Sequence, residues 1–278
     1  MQSILEILNK TIAYFESKRV PNAKLDAQIL LAEVLQCKRL ELFLHFEDPV
    51  PTNKLDIFRE YVRRRAKREP LQYLIGKTDF FGITLKTDAR ALIPRPETEY
   101  LCELLAEKFF EKDAEFSILE LGIGTGAISL SLKNYFQNAS VEGVDLSENA
   151  ISLAQENANE LKLDVKFYKS DWFENVSGKF DLIVANPPYL SDDEVACAQA
   201  EVKDFEPMSA LRSDENGIAD LRRILALAPE FLNNNGIVAC ECGVNQPKML
   251  AVEFGNNYSE IEEISDLHNR NRFIVLKK

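Results

Sequence analysis

The chain has 278 residues, 46% of them hydrophobic, and its net charge is −12. That length is enough for about two domains with sizeable buried cores. Five scattered cysteines and two histidines argue against a disulfide framework and a metal site, and no apolar run approaches the roughly 20 residues of a membrane span. We therefore expect a cytoplasmic protein with no metal and no membrane contact.

The charge is unevenly distributed along the chain. Residues 1–90 carry 16 basic and 12 acidic side chains, whereas residues 91–278 carry 17 and 33. Nucleic-acid binding depends on Lys and Arg side chains that neutralise phosphates. A body this acidic argues against direct nucleic-acid binding, and any contact with a polyanion would have to use the first part of the chain.

The first part of the chain has the pattern of a small helical domain. Ser3 and Glu6 are spaced as a capping box and precede an apolar stripe of helical period. Asn22 and Thr52 are placed as caps of two further helices, and Pro70 ends the last of these. We predict that these helices form a separate N-terminal domain.

A basic cluster lies at the end of the last of these helices. It consists of Arg63, Arg64, Arg65, Lys67 and Arg68. Cations near a helix C-terminus interact favourably with the helix dipole. We interpret the cluster as a solvated helix end, and the alternative is a surface that faces an acidic partner.

A short β pattern and a Pro-rich stretch follow. Apolar residues alternate around Gly82 in residues 79–86, and the Pro-rich stretch is Ile93–Glu99. Beyond it, apolar runs alternate with helical segments, which is typical of an α/β sheet covered on both faces. The predicted strands are Ser117–Leu121, Val141–Asp145, Val165–Tyr168, Phe180–Ala185, Gly236–Cys242 and Arg272–Leu276.

A glycine-rich loop follows the first predicted strand. The segment Glu120–Gly126, ELGIGTG, passes directly into a helix-forming run. Glycines allow a tight turn and close approach of a ligand, and the helix N-terminal amides point into the same space. Asp145 ends the second strand, where an acidic residue accepts hydrogen bonds from ribose hydroxyls in this type of fold. Loop and acid together predict a nucleotide-like cofactor, although Gly122, Gly124 and Ala127 also satisfy the dinucleotide pattern.

Two further residues are placed to flank an adenine. Asp171 can accept a hydrogen bond from an exocyclic amine, and Trp172 can stack on the ring. Both follow the third predicted strand. A single Trp is otherwise more often a core residue.

The tetrapeptide Asn186-Pro187-Pro188-Tyr189 follows a buried strand at the sheet edge where α/β proteins bind ligands. An amide nitrogen is a poor nucleophile because its lone pair is shared with the carbonyl. The Asn186 side-chain carbonyl and the Pro187 backbone carbonyl can accept from its two N–H groups, and Tyr189 can cover its flat face. Consecutive prolines restrict the backbone, so the acceptors are placed before binding. The loop therefore suits methylation of a planar amide or amino nitrogen.

The chain resembles the protein-(glutamine-N5) methyltransferases that modify peptide chain release factors, over nearly its full length. The segments Arg68–Gly76, REPLQYLIG, and Ile93–Glu99, IPRPETE, look like that family's interdomain signature. Asn-Pro-Pro-Tyr alone is shared with adenine-N6 methyltransferases. The resemblance implies a Rossmann-like, seven-stranded class I methyltransferase sheet with a small helical N-terminal domain and a β-hairpin linker. We accordingly expect a substrate-binding domain at 1–72, a linker at 73–98 and a catalytic domain at 99–278.

The resemblance also implies S-adenosylmethionine as cofactor, and a release factor as protein substrate. The glutamine of its Gly-Gly-Gln loop would be held by Asn186, Pro187, Pro188 and Tyr189, with Asn186, Pro187 and Tyr189 in the catalytic role. The family's loop usually begins Asp-Leu-Gly, where this chain has Glu120. We expect a monomer. The residues assigned to cofactor binding are Glu120, Gly122, Ile123, Gly124, Thr125, Gly126, Asp145, Asp171, Trp172 and Asn186.

Three other functions remain open at this point. An adenine-N6 nucleic-acid methyltransferase would need a basic groove, which the acidic catalytic half does not suggest. A hydride-transfer dehydrogenase explains the glycine loop but gives the Asn-Pro-Pro-Tyr loop no role. A non-enzymatic adaptor would bind no nucleotide-like ligand.

Overall fold

The computed structural model describes residues 2–278. The helices are α1 (Ile4–Ser17), α2 (Ala23–Leu35), α3 (Thr52–Ala66), α4 (Leu71–Ile75), α5 (Pro96–Leu104), α6 (Ala127–Tyr135), α7 (Glu148–Leu161), α8 (Asp192–Cys197), α9 (Ala200–Lys203), α10 (Asp214–Gly217), α11 (Ala219–Phe231) and α12 (Gln246–Phe254). The strands are β1 (Lys77–Phe80), β2 (Ile83–Lys86), β3 (Ser117–Leu121), β4 (Ser140–Asp145), β5 (Lys166–Lys169), β6 (Phe180–Ala185), β7 (Leu232–Glu241), β8 (Glu260–Ser265) and β9 (Asn271–Lys277). Short 3-10 segments at Arg39–Leu44 and Met208–Ala210 and a π-helical turn at Leu105–Phe109 complete the regular structure.

The chain forms two compact units. The helical unit contains the residues up to Gly76 together with Gln199–Phe205, and the sheet unit contains Lys77–Ala198 and Glu206–Lys278. The polypeptide therefore leaves the sheet unit after Ala198, contributes α9 to the helical unit, and returns. The predicted domain limits at residues 72 and 98 stay a prediction.

The helical unit is built on an apolar core that α1, α2 and α3 share. Ile7, Leu8 and Phe15 of α1 are fully or almost fully buried in it. The Ser3 hydroxyl accepts from the Glu6 amide at 3.3 Å, so α1 begins as predicted. At α3 the prediction of Thr52 as the cap is wrong. Pro51 occupies the cap position, and its extended backbone makes Thr52 the first helical residue.

The solvated interpretation of the basic cluster is wrong for Arg65 and Arg68. The Arg65 side chain is 5% exposed, and its Nε donates to Asp26 Oδ2 at 2.7 Å. Its Nη2 donates to Glu201 Oε1 at 2.9 Å, and Arg68 Nε donates to the same oxygen at 2.6 Å. A buried guanidinium needs such partners, and they come from α2 and α9, far away in the sequence. Arg63, with a side chain 70% exposed, is solvated as predicted.

The sheet unit contains the predicted seven-stranded sheet, in the order β5-β4-β3-β6-β7-β9-β8, together with a β1-β2 hairpin. Within the seven-stranded sheet, β9 runs antiparallel to its neighbours β7 and β8, and the other pairings are parallel. Alternate residues of each central strand face two apolar cores, as Ile118 and Leu119 of β3 illustrate. The predicted seven-stranded α/β fold is confirmed.

The predicted strands match the observed ones to within one residue, except that β7 begins four residues earlier. The prediction missed β8. Its sequence, EIEEIS, is rich in glutamate, and its residues are only partly buried because it forms a sheet edge. An edge strand of this kind lacks the apolar run by which the central strands are recognised.

The strand order decides where a ligand can bind. From β3 the chain proceeds outward to β4 and β5, and then returns to β6 on the other side of β3. At such a switch point the loops after neighbouring strands diverge and leave a crevice at their carboxyl ends. The glycine loop follows β3, Asp145 ends β4 and Asn186 follows β6, so all three reach this edge. Among residues 2–278, none of the helices has the length and apolar character needed to cross a membrane.

Candidate active site

The glycine loop turns sharply between β3 and α6. Gly122, Gly124 and Gly126 have φ angles of +75°, +53° and +80°, which residues with a Cβ rarely adopt. Gly126 is the N-cap of α6, and the amides of Gly122 and Ile123 donate to the Val144 carbonyl. The loop is therefore fixed by backbone bonds, with the N-terminus of α6 directly behind it.

Asp145 is tied to the glycine loop. Its Oδ2 accepts from the Gly124 amide at 3.0 Å, and its Oδ1 accepts from the Ser147 amide at 2.8 Å. Burial raises the pKa of Asp145, while these backbone amides oppose the rise. Two amides fix the plane of the carboxylate, so it is oriented before any ligand arrives.

Glu120 is buried beneath the loop with one carboxylate oxygen engaged. Its Oε2 accepts from the Ser129 amide at 2.8 Å and from the Ser129 hydroxyl. Burial raises the pKa of Glu120 to about 8, partly offset by the bonds from Ser129. A cationic group bound nearby would favour the ionised form.

Asp171 and Trp172 lie across from the glycine loop. Asp171 Oδ1 accepts from Arg223 Nη1 at 2.7 Å, and Trp172 Nε1 donates to Asp220 Oδ1 at 3.1 Å. A Cβ added to Gly122 would lie 3.5 Å from the indole of Trp172. The ring therefore covers the glycine, and glycine keeps the space between them open.

These residues surround a cavity of about 330 Å³, within the range of small-molecule sites. The predicted site residues that line it are Glu120, Gly122, Ile123, Gly124, Thr125, Asp145, Asp171, Trp172, Asn186 and Pro188. Leu146 lines it as well, and its side chain is largely exposed. The cavity therefore combines acidic groups with apolar and aromatic surface.

Asn186 is held by a side chain from outside its own loop. Its Nδ2 donates to Thr98 Oγ1 on α5 at 2.8 Å. Pro188 shares the cavity wall with Asn186, whereas Pro187 is buried. The arrangement leaves the Asn186 carbonyl oxygen to serve as an acceptor.

Tyr189 is bound to a buried ion pair. Its hydroxyl donates to Glu241 Oε1 at 2.9 Å and accepts from Arg272 Nη2 at 2.6 Å. The Arg272 guanidinium also stacks on the Tyr189 ring, with the carbon 4.8 Å from the ring centroid. Burial raises the pKa of the Tyr189 hydroxyl, and the Glu241 charge acts in the same direction.

The backbone of the loop is also held from outside. Gln246 Nε2 donates to the Tyr189 carbonyl at 3.0 Å and to the Gly217 carbonyl at 3.0 Å. A Cβ on Gly217 would lie 2.3 Å from the Tyr189 carbonyl oxygen. Glycine is therefore required at 217 for the chain to pass this close to the loop.

Sequence reasoning missed Thr98, Glu241, Arg272, Gln246 and Gly217. One available signal was Glu241, a carboxylate inside the apolar run of β7, since buried acidic residues are rare unless they are paired. The partners themselves come from α5, β7, β9 and the segments around α10 and α12. Their spacing along the chain carries no signal.

The Pro-rich signature also has defined partners. The Arg95 guanidinium donates to the buried Glu206 carboxylate, whose other oxygen accepts from the Ile93 amide at 3.4 Å. Glu97 accepts from Arg270 at 3.1 Å, and Glu99 from the Phe81 amide at 2.8 Å. These bonds fix the start of α5, which carries Thr98. Within residues 2–278 there is no group of side chains with the composition of a metal site.

Comparison with known proteins places this chain in a family. The chain matches the family model described as the PrmC N-terminal domain over residues 6–76 and the methyltransferase small domain over residues 97–204. A solved structure of the T. thermophilus 16S rRNA N2 G1207 methyltransferase in complex with AdoMet and guanosine has a TM-score of 0.53 at 18% identity. That alignment covers 73% of this chain and 49% of the other, and it shows likeness of fold alone.

Curated relatives are similar over almost the whole chain. The release factor glutamine methyltransferase of Haemophilus influenzae is 37% identical, and the alignment covers 96% of each protein. That of Fusobacterium nucleatum is 36% identical over 99% of this chain and 78% of the relative. The chain therefore belongs to the release factor glutamine methyltransferase family.

Proposed function

We infer that the chain transfers a methyl group from S-adenosylmethionine to the side-chain amide nitrogen of a glutamine in peptide chain release factors. One observation carries this inference. Asn186 and Pro188 line the same cavity as the glycine loop and Asp145. A methyl donor bound along the loop and an amide held at Asn186 would therefore share one enclosed space.

The cavity fits this cofactor by the chemistry of its walls. Asp145, already oriented by two amides, can accept from ribose hydroxyls. Leu146 and Trp172 offer apolar and aromatic surface to an adenine, and Asp171 can accept from its amine. Glu120 provides a carboxylate for the ammonium of the methionine part. When bound, S-adenosylmethionine supplies a methyl group activated by the adjacent sulfonium.

The Asn-Pro-Pro-Tyr loop has the acceptors that the amide requires. The Asn186 side-chain carbonyl and the Pro187 backbone carbonyl accept from the two N–H groups of the glutamine, which orients its nitrogen lone pair away from both. The sulfonium of bound S-adenosylmethionine would supply the methyl group for a new N–C bond and would leave as a neutral thioether, and the nitrogen would afterwards release one proton to solvent. Orientation of this kind can supply up to ~7–11 kcal/mol of a barrier, so a strong general base is not required.

The finer details extend this proposal. We further propose that the methylated atom is N5 of the glutamine in the Gly-Gly-Gln motif, that the helical unit contributes to binding the release factor, and that the reaction takes place in the cytoplasm. The family model that matches residues 6–76 and the relatives' names support these details. Tyr189 acts by keeping the loop in position through Glu241 and Arg272.

The deciding experiment uses methyl-labelled S-adenosylmethionine. The purified protein is incubated with release factor in one tube and with adenine-containing DNA in another, and the label is located by mass spectrometry. We expect label on the Gly-Gly-Gln glutamine. Label on adenine would favour the adenine-N6 alternative, and no label on either would contradict the assignment.

A further inference from the structure

A chain of two hydrogen bonds connects Asn186 to the carboxylate of Glu241 through the hydroxyl of Thr98. Asn186 Nδ2 donates to Thr98 Oγ1 at 2.8 Å, and the Thr98 hydroxyl donates to Glu241 Oε2 at 2.6 Å. Thr98 is 4% exposed and Glu241 is fully buried. Asn186 directly follows β6, Thr98 lies in α5 and Glu241 in β7, all within the sheet unit.

The direction of these bonds follows from the chemistry of the groups. An ionised carboxylate only accepts, and a hydroxyl has a single hydrogen. The Thr98 hydrogen is therefore used on Glu241, and Thr98 can only accept from its other neighbour. Asn186 must turn its NH2 group toward Thr98, which directs its carbonyl oxygen elsewhere.

Three hydrogen-bonding neighbours, Thr98, Tyr189 and Arg272, stabilise the ionised form of Glu241 against the effect of its burial, which raises the pKa. Its Oε1 accepts from the Tyr189 hydroxyl at 2.9 Å and from Arg272 Nη2 at 3.1 Å. Burial raises the pKa of Glu241, the Thr98 hydroxyl and the Arg272 charge lower it, and the nearby charge of Glu97 raises it. Arg272 is itself largely buried, so the pair holds a carboxylate where an isolated one would be costly.

We propose that Thr98 and Glu241 are positioning residues that fix the side-chain amide of Asn186 with its carbonyl oxygen directed at the substrate nitrogen. This deepens the proposed function and rests on it. A reversed amide would present NH2 to the glutamine NH2, donor against donor, and would lose the acceptor that the reaction needs.

The sharpest test is Glu241→Gln, which replaces one oxygen by NH2 and changes no other heavy atom. The glutamine carbonyl stays toward Arg272 and Tyr189, because an NH2 there would face a guanidinium. Its NH2 then donates to Thr98, and the freed Thr98 hydrogen donates to Asn186, whose amide turns over. We expect kcat to fall about tenfold or more. Wild-type kcat should also fall as Glu241 is protonated at acidic pH, and the variant should lack that dependence.

Two substitutions at Thr98 keep the test decisive even if Glu241→Gln folds poorly. Thr98→Ser retains the hydroxyl and should keep kcat within about twofold, whereas Thr98→Val leaves Asn186 without a directed partner and should lower kcat by roughly two- to tenfold. Cofactor affinity, measured by calorimetry, should change less than kcat in each case. Asp181→Asn is the matched control, since this carboxylate binds Ser117 and Asn233 at the opposite end of β6.

The outcomes separate the two proposals. An inactive wild type would contradict the proposed function, whatever the variants do. An active wild type whose Thr98→Val and folded Glu241→Gln variants keep normal kcat and pH dependence would overturn the positioning roles. Equal losses in Thr98→Ser and Thr98→Val would overturn them as well, because only one of the two removes the hydroxyl.

Discussion

The two sides of the cavity are held in different ways. On the glycine-loop side, Asp145 and Glu120 are bound by backbone amides of Gly124, Ser147 and Ser129, none more than 21 residues away. On the Asn186 side, the partners are side chains. Thr98 lies 88 residues from Asn186.

The difference predicts which parts of the site are sensitive to single substitutions and which tolerate them. A backbone amide is present whatever the side chain, so the glycine-loop side depends mainly on glycine conformations and on two carboxylates. Asp171 and Trp172, across from the loop, are instead held by the side chains of Arg223 and Asp220. The reacting side depends on several side chains at once, and exchange of any one leaves another buried group without its partner. We therefore expect a single substitution to reduce stability or activity more in a region held by side chains than in a region held by backbone amides.

The ion cluster of the helical unit is the extreme case of buried charges held mainly by side chains. Arg65→Met should destabilise the helical unit by about 3–5 kcal/mol, because Asp26 would remain buried without its counter-charge. Denaturant unfolding measures the loss. Arg63→Met is the control, since that side chain is 70% exposed and its ion pair with Glu60 contributes little. Equal stability of the two variants would contradict this account of the cluster.

On the reacting side, Asn186→Ala should lower methyl transfer roughly 100- to 1,000-fold, because it removes an acceptor aimed at the substrate nitrogen. Cofactor affinity should fall at most modestly. Single-turnover assays and calorimetry measure the two quantities separately. Asn233→Ala, which removes an amide bound to Asp181, is the matched control. Activity of Asn186→Ala equal to wild type would remove Asn186 from the mechanism.

On the cofactor side, Glu120 should make the stability of the ligand-free protein depend on pH. Burial raises its pKa to about 8 from an ordinary value of 4.5. A raised pKa in the folded state gives stability that is complete below pH 4.5 and is lost as the pH rises through 8. Glu120→Gln should therefore gain stability relative to wild type between pH 5 and pH 8 in denaturant unfolding. A constant difference across that range would show that Glu120 does not titrate there.

The mildest effect is expected for Asp145→Asn. The NH2 group of the new asparagine side chain must face the backbone N–H of either Gly124 or Ser147, so one of the two hydrogen bonds to position 145 is lost. We therefore expect roughly tenfold weaker cofactor binding. Turnover at saturating cofactor should change little. Glu148→Gln, an exposed carboxylate paired with Lys169, serves as control in the same calorimetry. A loss of turnover as large as that of Asn186→Ala would erase the distinction between the two sides.

The sequence located residues that share one cavity where the signal is local. The glycine loop, Asp145 and Asn186 are each recognisable from a short motif at a strand end, and the structure brings all three to one cavity. The predictions failed where a partner is remote. Arg65 has the local pattern of a solvated helix end, and its burial depends on Asp26 and Glu201.

The order of apolar runs and glycines along the chain was enough to determine the α/β class, the loop after β3 and the edge of the sheet at which the cavity lies, because backbone conformation and strand periodicity are local properties. Tertiary structure decided which distant side chains complete the site. Thr98, Glu241 and Arg272 meet through the packing of α5 against β7 and β9, and a buried polar group takes whichever partner the fold brings within hydrogen-bonding distance.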